Sequence, residues 1–406
     1  MLEKVVLVSV DKGNDAMPAE NCLDELSLLV ATTGATEVGR LLQKREGWHP
    51  KHYLGKGKIE ELKDLISLTE ATGIVCDDEL SGMQLYNLEQ MLDTKIMDRT
   101  MVILDIFASR ANTAEGKVQV ELAQLQYNAT HLKGIGTALS RLGGGIGTRG
   151  PGEKKLETDR RVIKERIAEL NRNLKEIEAH RELLRQGKKK SLMPVISLVG
   201  YTNAGKSTLM NALTGAGVLA EDKLFATLDT TSRKITLPGG SNVLLTDTVG
   251  FIQKLPHHLI KAFRATLEEL KHADILVHVV DSAGPMAKEQ TDVVIKTLQE
   301  LKCAHKPLLT VFNKIDAGEP NLQVGDAVSV SALHYIGLDA LKIKLEEMLK
   351  EFRTRLTVLI PYSEGQLLDI VYGHCEVLTS EHKEDGTYLE LYANGEIFNR
   401  LKQYSL

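Results

Sequence analysis

The first part of the chain alternates short apolar runs with amphipathic stretches. Three runs rich in β-branched and aliphatic residues are typical of buried strands and span residues 5–10, 73–76 and 101–107. Between them, residues 59–68 and 83–92 place apolar side chains at intervals of three and four, which predicts helices. Because strands that alternate with helices form sheets covered by helices, residues 1–111 are predicted to form a small α/β domain.

A long helical pattern follows. Apolar residues recur at alternating steps of four and three in two segments, at Val118, Leu122, Leu125, Ala129 and Leu132 and again at Ile163, Ile167, Leu170, Leu174 and Ile177. This spacing predicts two amphipathic helices that pair antiparallel. Residues 134–152 between them hold eight glycines, and basic side chains lie in or beside this segment at Arg141, Arg149, Lys154 and Lys155. Residues 112–190 are therefore predicted to form a helical hairpin capped by a flexible basic loop.

Beyond the hairpin, strands and helices alternate again. Pro194 precedes an apolar run at 195–199, and the alternation predicts a second α/β domain over residues 191–353. Residues 354–406 have the pattern strand, helix, strand, strand, helix, with an Asp385-Gly386 turn between the last two strands. The predicted fold class is α/β, with a small α+β module at the end.

Charge and cysteine content restrict the partners and the cellular compartment that the sequence predicts. The 50 basic and 55 acidic residues give a formal net charge of −5, so any contact with nucleic acid has to come from a local basic patch. The four cysteines show no CxxC spacing, which predicts a reduced cytosolic protein without structural zinc. No apolar run reaches the roughly 18 residues that a membrane-spanning helix needs, so we expect neither a membrane span nor a signal peptide.

A glycine-rich segment after the run at 195–199 predicts a phosphate site. It has GxxxxGKS spacing and consists of Gly200, Tyr201, Thr202, Asn203, Ala204, Gly205, Lys206 and Ser207. The glycines let the backbone curl, so that successive N–H groups and a helix N-terminus surround the β- and γ-phosphates. Lys206 then neutralises phosphate charge, and the Ser207 hydroxyl is a ligand for Mg²⁺. The segment predicts a P-loop NTPase domain.

A second motif extends the site toward the γ-phosphate, and it consists of Asp247, Thr248, Val249 and Gly250. Asp247 is expected to hold Mg²⁺ through water, and the Gly250 amide to bond the γ-phosphate and report its presence. Lys206 and Gly250 are the residues that we assign to phosphate stabilisation. A threonine from a mobile segment must also reach the metal, and spacing alone leaves Thr227, Thr230, Thr231 and Thr236 as candidates.

A third motif selects the base and consists of Asn313, Lys314, Ile315 and Asp316. It follows an apolar run, at the carboxyl end of a predicted strand where doubly wound sheets bind ligands. The Asp316 carboxylate accepts hydrogen bonds from the N1–H and amine of guanine, which adenine does not present, so discrimination of roughly 10⁴ is expected. Backbone amides of Ser331, Ala332 and Leu333 are expected to close over the base. The three motifs together predict a GTP-hydrolysing G domain.

Phe251 departs from the usual pattern. It directly follows Gly250, where many GTPases carry a glutamine that orients the attacking water. Since a phenyl ring offers no such hydrogen bond, we expect slow intrinsic hydrolysis, with the missing group supplied by a partner, by another part of the chain or by bound water. The alternative is that Phe251 is an apolar plug beside the nucleotide site.

Several segments resemble the HflX GTPases, which belong with the Obg-like translation GTPases. The resemblance covers nearly the whole chain and is carried by residues 53–58, 98–100, 106–110, 116–123 and, most specifically, 143–161. In this family residues 224–229 correspond to the first switch, so the resemblance selects Thr227 as the second protein ligand of Mg²⁺. It places Phe225, Ala226, Leu228 and Asp229 beside the nucleotide. A hydrophobic residue at the position of Phe251 is also usual for the group.

The resemblance also implies a partner. The family binds the large ribosomal subunit and its RNA, some members split stalled or stressed ribosomes, and the glycine-rich tip reaches toward the peptidyl-transferase centre. The four basic residues of the tip are therefore candidate ribosome contacts, since Arg and Lys bond phosphate and ribose while glycines enter narrow RNA crevices. A solvated linker is the alternative interpretation of the same composition.

Three functions remain open. The first is a GTP-switched ribosome factor. The second is an RNA-remodelling ATPase or GTPase acting through the amino-terminal domain, as credited to some relatives, although residues 55–58 lack the GxxxxGK[ST] spacing. The third is a protein-interaction adaptor timed by GTP hydrolysis. In each case we expect a monomeric protein in the cytoplasm, with a fraction of the molecules associated with the membrane.

Overall fold

The computed structural model describes residues 3–13, 17–142, 151–188, 193–215, 224–225, 231–254, 270–320, 322, 324–351, 354–393 and 395–406. The strands are β1 (Lys4–Asp11), β2 (Thr36–Lys44), β3 (Gly73–Cys76), β4 (Lys95–Asp98), β5 (Val195–Gly200), β6 (Thr231–Thr236), β7 (Asn242–Asp247), β8 (Ile275–Asp281), β9 (Leu308–Asn313), β10 (Ala327–Ser329), β11 (Thr354–Ile360), β12 (Glu376–Lys383) and β13 (Gly386–Ala393). The helices are α1 (Ala19–Thr33), α2 (Lys56–Thr69), α3 (Gly82–Leu92), α4 (Arg99–Arg110), α5 (Ala114–Leu142), α6 (Pro151–Lys188), α7 (Lys206–Thr214), α8 (Ala287–Glu300), α9 (Leu338–Glu351), α10 (Gly365–His374) and α11 (Gly395–Leu401).

The first sheet has four parallel strands in the order β2-β1-β3-β4. Alternate side chains of β1 point to opposite faces, as in every strand. Val6 and Val8 pack with the buried residues of α2 and α3, whereas Val5 and Leu7 belong to the cluster that includes α1 and α4. Both faces are therefore covered, and the carboxyl ends of all four strands meet at one edge.

The strand predicted at residues 101–107 is wrong, because these residues lie in helix α4. The helix begins where the Asp98 carboxylate accepts a hydrogen bond from the Met101 amide at 2.9 Å, which is a regular N-cap. Seven of its twelve residues are buried. Its exposed residues are Asp105, Ala108 and Ser109, and since only Asp105 lies within 101–107, this apolar, β-branched run looks like a strand in the sequence.

The hairpin is formed by α5 and α6, which are tied by an ion pair between Arg166 and Glu121 at 2.7 Å. The loop predicted at 134–152 is too long, because α5 continues to Leu142 and α6 begins at Pro151. Ile135, Leu139 and Leu142 extend the apolar spacing of α5, and this continuity outweighs about 1 kcal/mol per glycine of lost helix propensity. Proline at the first position of α6 lacks only an N–H that a helix start leaves unused.

The second sheet has six strands in the order β10-β9-β8-β5-β7-β6, and only β6 runs antiparallel. The parallel pairing brings the carboxyl ends of β5, β7, β8 and β9 to one edge. This edge carries Gly200, Asp247 and Asn313, which the sequence assigns to three separate motifs. The α/β doubly wound architecture is the fold of P-loop GTPase domains, as predicted.

The third sheet is antiparallel, in the order β11-β13-β12. The predicted succession of strand, helix, strand, strand and helix after residue 354 is confirmed, including the hairpin turn before Gly386. A separate set of buried side chains from β11, β13, α10 and α11 forms its core. This module therefore packs around its own apolar centre.

Candidate nucleotide site

The loop between β5 and α7 has the shape that its glycines allow. A Cβ on Gly200 would lie 2.3 Å from the Val279 carbonyl oxygen, and one on Gly205 would lie 2.2 Å from the Asn313 amide nitrogen. Gly205 also has φ +88°, a left-handed conformation that L side chains rarely adopt. Glycine is therefore required at both positions for the loop to curl over the strand ends.

Lys206 lies buried across this loop. Its ammonium donates hydrogen bonds to the carbonyl oxygens of Gly200 at 3.1 Å and Tyr201 at 2.8 Å. Burial lowers the pKa of Lys206 to about 8, and the Asp247 carboxylate opposes that shift. The charge thus lies at the centre of the loop and at the first residue of α7, where anionic phosphate is favoured.

Ser207 and Asp247 form an oxygen-rich pair beside the loop. Asp247 is the last residue of β7 and is fully buried, and one of its carboxylate oxygens accepts a hydrogen bond from the Ser207 hydroxyl at 2.8 Å. A hydroxyl and a carboxylate are the hard ligands that suit Mg²⁺, which usually takes few protein ligands and keeps several waters. The donor set therefore fits the magnesium site that the sequence predicts.

The segment around Gly250 is fastened to the P-loop through the backbone. The Thr202 amide donates to the Phe251 carbonyl oxygen at 2.7 Å, and the Phe251 amide donates to the Gly200 carbonyl oxygen at 3.1 Å. A Cβ on Gly250 would lie 3.0 Å from the Lys206 amine and 2.9 Å from the Thr202 Cα. The Gly250 backbone is thus close to the phosphate-binding lysine, as a sensor of the γ-phosphate requires.

Asn313 joins two parts of the base pocket. Its amide nitrogen donates to the Ala204 carbonyl oxygen at 3.0 Å, and its amide oxygen accepts from the Ala332 N–H at 3.0 Å. We expected the Ala332 amide to face the base, but in this structure it bonds Asn313, which lies between the two loops. Asn313 therefore fixes the distance between the phosphate loop and the segment that follows β10.

Asp316 is held by a neighbour that the motif does not contain. The Ser331 hydroxyl donates to one carboxylate oxygen of Asp316 at 2.5 Å, and this hydrogen bond lowers the pKa of Asp316. Lys314 pairs with Asp281 at 2.7 Å on the other side of the motif. The Asp316 carboxylate, which the sequence predicts to read the base, is thus oriented by Ser331 and favoured in its ionised form. Sequence spacing placed Ser331 near the base but did not reveal this role.

The structure removes one of the four candidate threonine ligands of Mg²⁺. Thr231 pairs with Asp247 at the start of β6, whereas Thr236 pairs with Asn242 at the far end of the same strand. Five residues of strand separate them, roughly 16 Å, so Thr236 is not a metal ligand. Residues 226–230, which include Ala226, Thr227, Leu228, Asp229 and Thr230, lie outside the described part of the chain, as does Arg149.

Phe251 is a buried plug, 2% exposed. It belongs to an apolar cluster that also contains Phe225 and, from the amino-terminal domain, Val102 and Phe107. The ring of Phe225 meets that of Phe107 edge-on, with centroids 4.7 Å apart. The second interpretation of Phe251 from the sequence, an apolar plug, therefore agrees with its surroundings.

Replacing Phe251 with leucine tests this interpretation. We expect the midpoint of urea unfolding to fall by an amount equivalent to about 1 kcal/mol, because a smaller side chain fills the same apolar space. GTP turnover per folded molecule should change by less than about twofold, because the backbone hydrogen bonds of residue 251 remain. A large loss of turnover at unchanged stability would show that the ring takes part in hydrolysis.

The P-loop, the motif from Asp247 to Gly250 and the motif from Asn313 to Asp316, gathered at one sheet edge, define this domain as a P-loop GTPase. Comparison with known proteins agrees. Residues 20–108 match the family model for the amino-terminal region of GTP-binding GTPases, residues 110–188 the model for their middle region, and residues 195–314 the model described as 50S ribosome-binding GTPase.

Sequence identity to individual relatives identifies the family of this chain. The chain is 54% identical to GTPase HflX of Lacrimispora saccharolytica, over 98% of this chain and 95% of the relative. It is 48% identical to GTPase HflX of Caldanaerobacter subterraneus, over 99% of this chain and 94% of the relative. It is 42% identical to GTPase HflX of Escherichia coli, over 95% of this chain and 92% of the relative. The chain belongs to the HflX GTPase family and hydrolyses GTP. Within its described residues no helix has the length and apolarity to cross a membrane.

Proposed function

We propose that this protein is a GTP-hydrolysing switch that binds the large ribosomal subunit and its RNA and splits or rescues stalled ribosomes under stress. The observation that carries the proposal is a set of three GTP-site motifs gathered at one sheet edge, on the same chain as a long helical hairpin whose sequence has a basic, glycine-rich tip. The matched family description, 50S ribosome-binding GTPase, supports the choice of partner. A cytoplasmic monomer suits this role.

The P-loop and the segment from Asp247 to Gly250 would hold the reacting phosphates and Mg²⁺. Lys206 and the N–H groups at the start of α7 would bind the β- and γ-phosphates, and the Gly250 amide would bond the γ-phosphate only while it is present. Ser207 and Asp247 would hold Mg²⁺, with Thr227 as the further ligand that the family implies. When bound, Mg²⁺ neutralises charge on the phosphate oxygens. Loss of the γ-phosphate would remove this hydrogen bond of the Gly250 amide.

Intrinsic hydrolysis is expected to be slow. Gln253 is the glutamine nearest to Gly250 in sequence, and its side-chain oxygen lies 3.5 Å from the Cys22 sulfur of the amino-terminal domain. It is 8% exposed, so it is not placed to orient a water at the phosphate. A water-orienting group that arrives only in the ribosome complex would make hydrolysis a signal of binding.

The hairpin is built as a stiff arm. Besides the Arg166 and Glu121 pair, the Arg160 guanidinium donates to the Leu132 carbonyl oxygen at 2.7 Å, close to the tip end of the described helices. The basic residues Arg141, Lys154 and Lys155 lie on the last turn of α5 and the first turns of α6. These residues and Arg149 would reach ribosomal RNA while the helices keep their shape.

The proposal predicts that large ribosomal subunits stimulate GTP turnover at least about tenfold, by supplying the missing group. The variant Arg149→Glu, Lys154→Glu should lose the stimulation and keep the basal rate, because neither residue belongs to the three nucleotide motifs. A matched control, Lys164→Glu, Arg172→Glu, reverses two exposed charges on the body of α6. It should keep most of the stimulation. Turnover of these three proteins, each measured with and without subunits, gives the comparison.

Either of two results would contradict the proposal. If subunits leave turnover unchanged and do not pellet with the protein, the partner is wrong, and an adaptor that pellets with proteins becomes the better hypothesis. If the control loses as much stimulation as the tip variant, the attraction is a general charge effect.

The ATPase alternative finds little support in the amino-terminal domain. The Gly55 amide is taken up by the Gln43 side chain at 2.9 Å, and Lys58 pairs with Glu61 at 2.8 Å. The carboxyl edge of the first sheet carries Asp77 and Asp98, which repel phosphate. The basic charges of this domain are thus not gathered into a second phosphate site within the described residues.

A further inference from the structure

The amino-terminal domain touches the GTP site through a buried polar network. The network lies at the carboxyl edge of the first sheet, where Asp77 and Asp78 follow β3 and Arg99 begins α4. On the other side are Tyr201 of the phosphate loop and Lys254, which lies four residues after the γ-phosphate sensor. The motifs of the G domain assign no function to Lys254 or to the Tyr201 side chain.

Tyr201 joins three parts of the molecule through its hydroxyl. The hydroxyl accepts a hydrogen bond from the Gln253 amide at 2.8 Å and donates one to the Glu25 carboxylate of α1. Burial raises the pKa of Tyr201 to about 12, against the opposing charge of Arg99, so the phenol keeps its proton for donation. One side chain therefore connects the phosphate loop, the segment after Phe251 and the amino-terminal domain.

Lys254 joins the same two domains by charge. Its ammonium bonds the Asp77 carboxylate and lies 3.0 Å from an oxygen of Asp78. Burial by itself would lower the pKa of Lys254, but the two carboxylates outweigh burial and raise it. Lys254 has φ +55°, so the backbone turns back at this residue to bring its side chain to the acidic pair.

Within the amino-terminal domain, Arg99 connects the carboxylates that bind Tyr201 and Lys254. Arg99 is 2% exposed, bonds Asp77 at 2.7 Å and also pairs with Glu25, the acceptor of the Tyr201 hydroxyl. The carboxylates of Glu25, Asp77 and Asp78 thus need both Arg99 and Lys254 for compensation, with Lys12 at 3.8 Å from Asp78. Moving Lys254 away would leave fully buried Asp77 with only part of its compensation, which is costly.

The geometry of the segment defines what this network does. Residues 250–254 are bonded to the phosphate loop at Phe251 and at the Gln253 amide, and they contact the amino-terminal domain through the Gln253 side chain, at Cys22, and through Lys254. A backbone fixed within a few residues on its far side has little freedom at Gly250. The position of the γ-phosphate sensor therefore depends on the amino-terminal domain.

We propose that Tyr201 and Lys254 are positioning residues of the GTPase reaction, which hold the Gly250 segment against the carboxylates of the amino-terminal domain. The two domains then move as one unit with the γ-phosphate sensor, so the amino-terminal domain responds to the nucleotide that is bound. The inference rests on GTP hydrolysis by this family and does not require a ribosome.

The test is a comparison of Lys254→Ala, Lys254→Arg and Tyr201→Phe in the full chain without ribosomes. We expect Lys254→Ala and Tyr201→Phe to lower single-turnover hydrolysis about tenfold, because a sensor that is free to move spends less time in place. Affinity for GDP should change less than about twofold, because GDP lacks the phosphate that Gly250 reads. Lys254→Arg should restore most of the rate.

The matched control is Lys302→Ala. Lys302 is an exposed lysine of the G domain with φ +59°, so it reproduces the strain of alanine in a left-handed conformation without any contact to the acidic pair. Its hydrolysis rate should stay within about twofold of the unchanged protein. An equal loss in Lys302→Ala and Lys254→Ala would assign the effect to backbone strain and overturn the proposal.

Hydrogen exchange gives a second readout that general destabilisation would not reproduce. In the unchanged protein, a non-hydrolysable GTP analogue should protect amides of α1 and α4 more than GDP does, and Tyr201→Phe should remove that difference. This variant keeps the ring, so it folds even if Lys254→Ala does not. Unaltered hydrolysis in Tyr201→Phe, or a nucleotide-dependent protection that survives it, would show that the network is only structural.

Discussion

Replacing Lys206 with alanine is expected to lower kcat/KM for GTP at least about 10³-fold, the largest effect of any single change in the chain. The ammonium is the charge that the loop places over the phosphates, and alanine offers neither charge nor donor. The measurement is single-turnover hydrolysis with nucleotide affinity determined in parallel. Both the affinity and the rate should fall, since Lys206 contacts the ground state and the transition state.

Stability separates this effect from misfolding. Because burial depresses the pKa of Lys206, its charge costs folding free energy at neutral pH, and removing that cost offsets the loss of its two hydrogen bonds, so alanine should leave the melting temperature of the nucleotide-free protein nearly unchanged. Lys288→Ala, an exposed lysine on the first turn of α8, is the matched control and should keep full activity. Activity of Lys206→Ala within about tenfold of the unchanged protein would contradict the assigned role.

Replacing Asp316 with asparagine is expected to weaken GTP binding by roughly 10²- to 10³-fold. The amide cannot accept from both the N1–H and the amine of guanine, and one donor of the buried base edge loses its partner. Xanthosine triphosphate carries an oxygen in place of that amine, so it should bind the variant better than GTP does. Competition binding with the three nucleotides GTP, ATP and xanthosine triphosphate measures the change.

The same variant discriminates between the proposed functions. If ATP is hydrolysed at a second site in the amino-terminal domain, Asp316→Asn should lose GTP use and keep ATP use. Ser331→Ala is the graded control, since it removes the hydrogen bond that orients the carboxylate but leaves the carboxylate. It should weaken GTP binding about tenfold or less. An equal affinity for GTP and ATP in the unchanged protein would refute guanine selection by Asp316.

The elements whose pattern is local could be predicted from the sequence. Each nucleotide motif needs only a strand end and a turn, which about ten consecutive residues determine. This is true of the P-loop with Gly200, Gly205 and Lys206 and of the motifs that contain Asp247 and Asn313. Parallel pairing of the strands by itself then places their carboxyl ends at the same edge of the sheet. The sequence alone therefore determined the nucleotide chemistry and the G-domain fold.

The failures have a common physical cause. Helix α4 is buried over most of its surface, so the periodicity that identifies a helix is absent from residues 101–107. Composition predicts a loop at the end of α5 because residues 134–152 hold eight glycines, although the apolar spacing continues to Leu142. Composition alone is therefore misleading at both elements, since burial in α4 and the continued apolar spacing in α5 favour a helix.

The tertiary structure alone decided how the sensor is held. Lys254 and Asp77 are 177 positions apart, and Tyr201 and Glu25 are 176 apart, so no local pattern links them. Phe251 is noticed in the sequence only because it stands in place of a glutamine, whereas its place in a buried apolar cluster with residues of the amino-terminal domain supports its interpretation as a plug. Local spacing determines which groups meet the nucleotide, but the packing of distant charges and rings determines how firmly they are held, because that energy exists only once the domains are in contact.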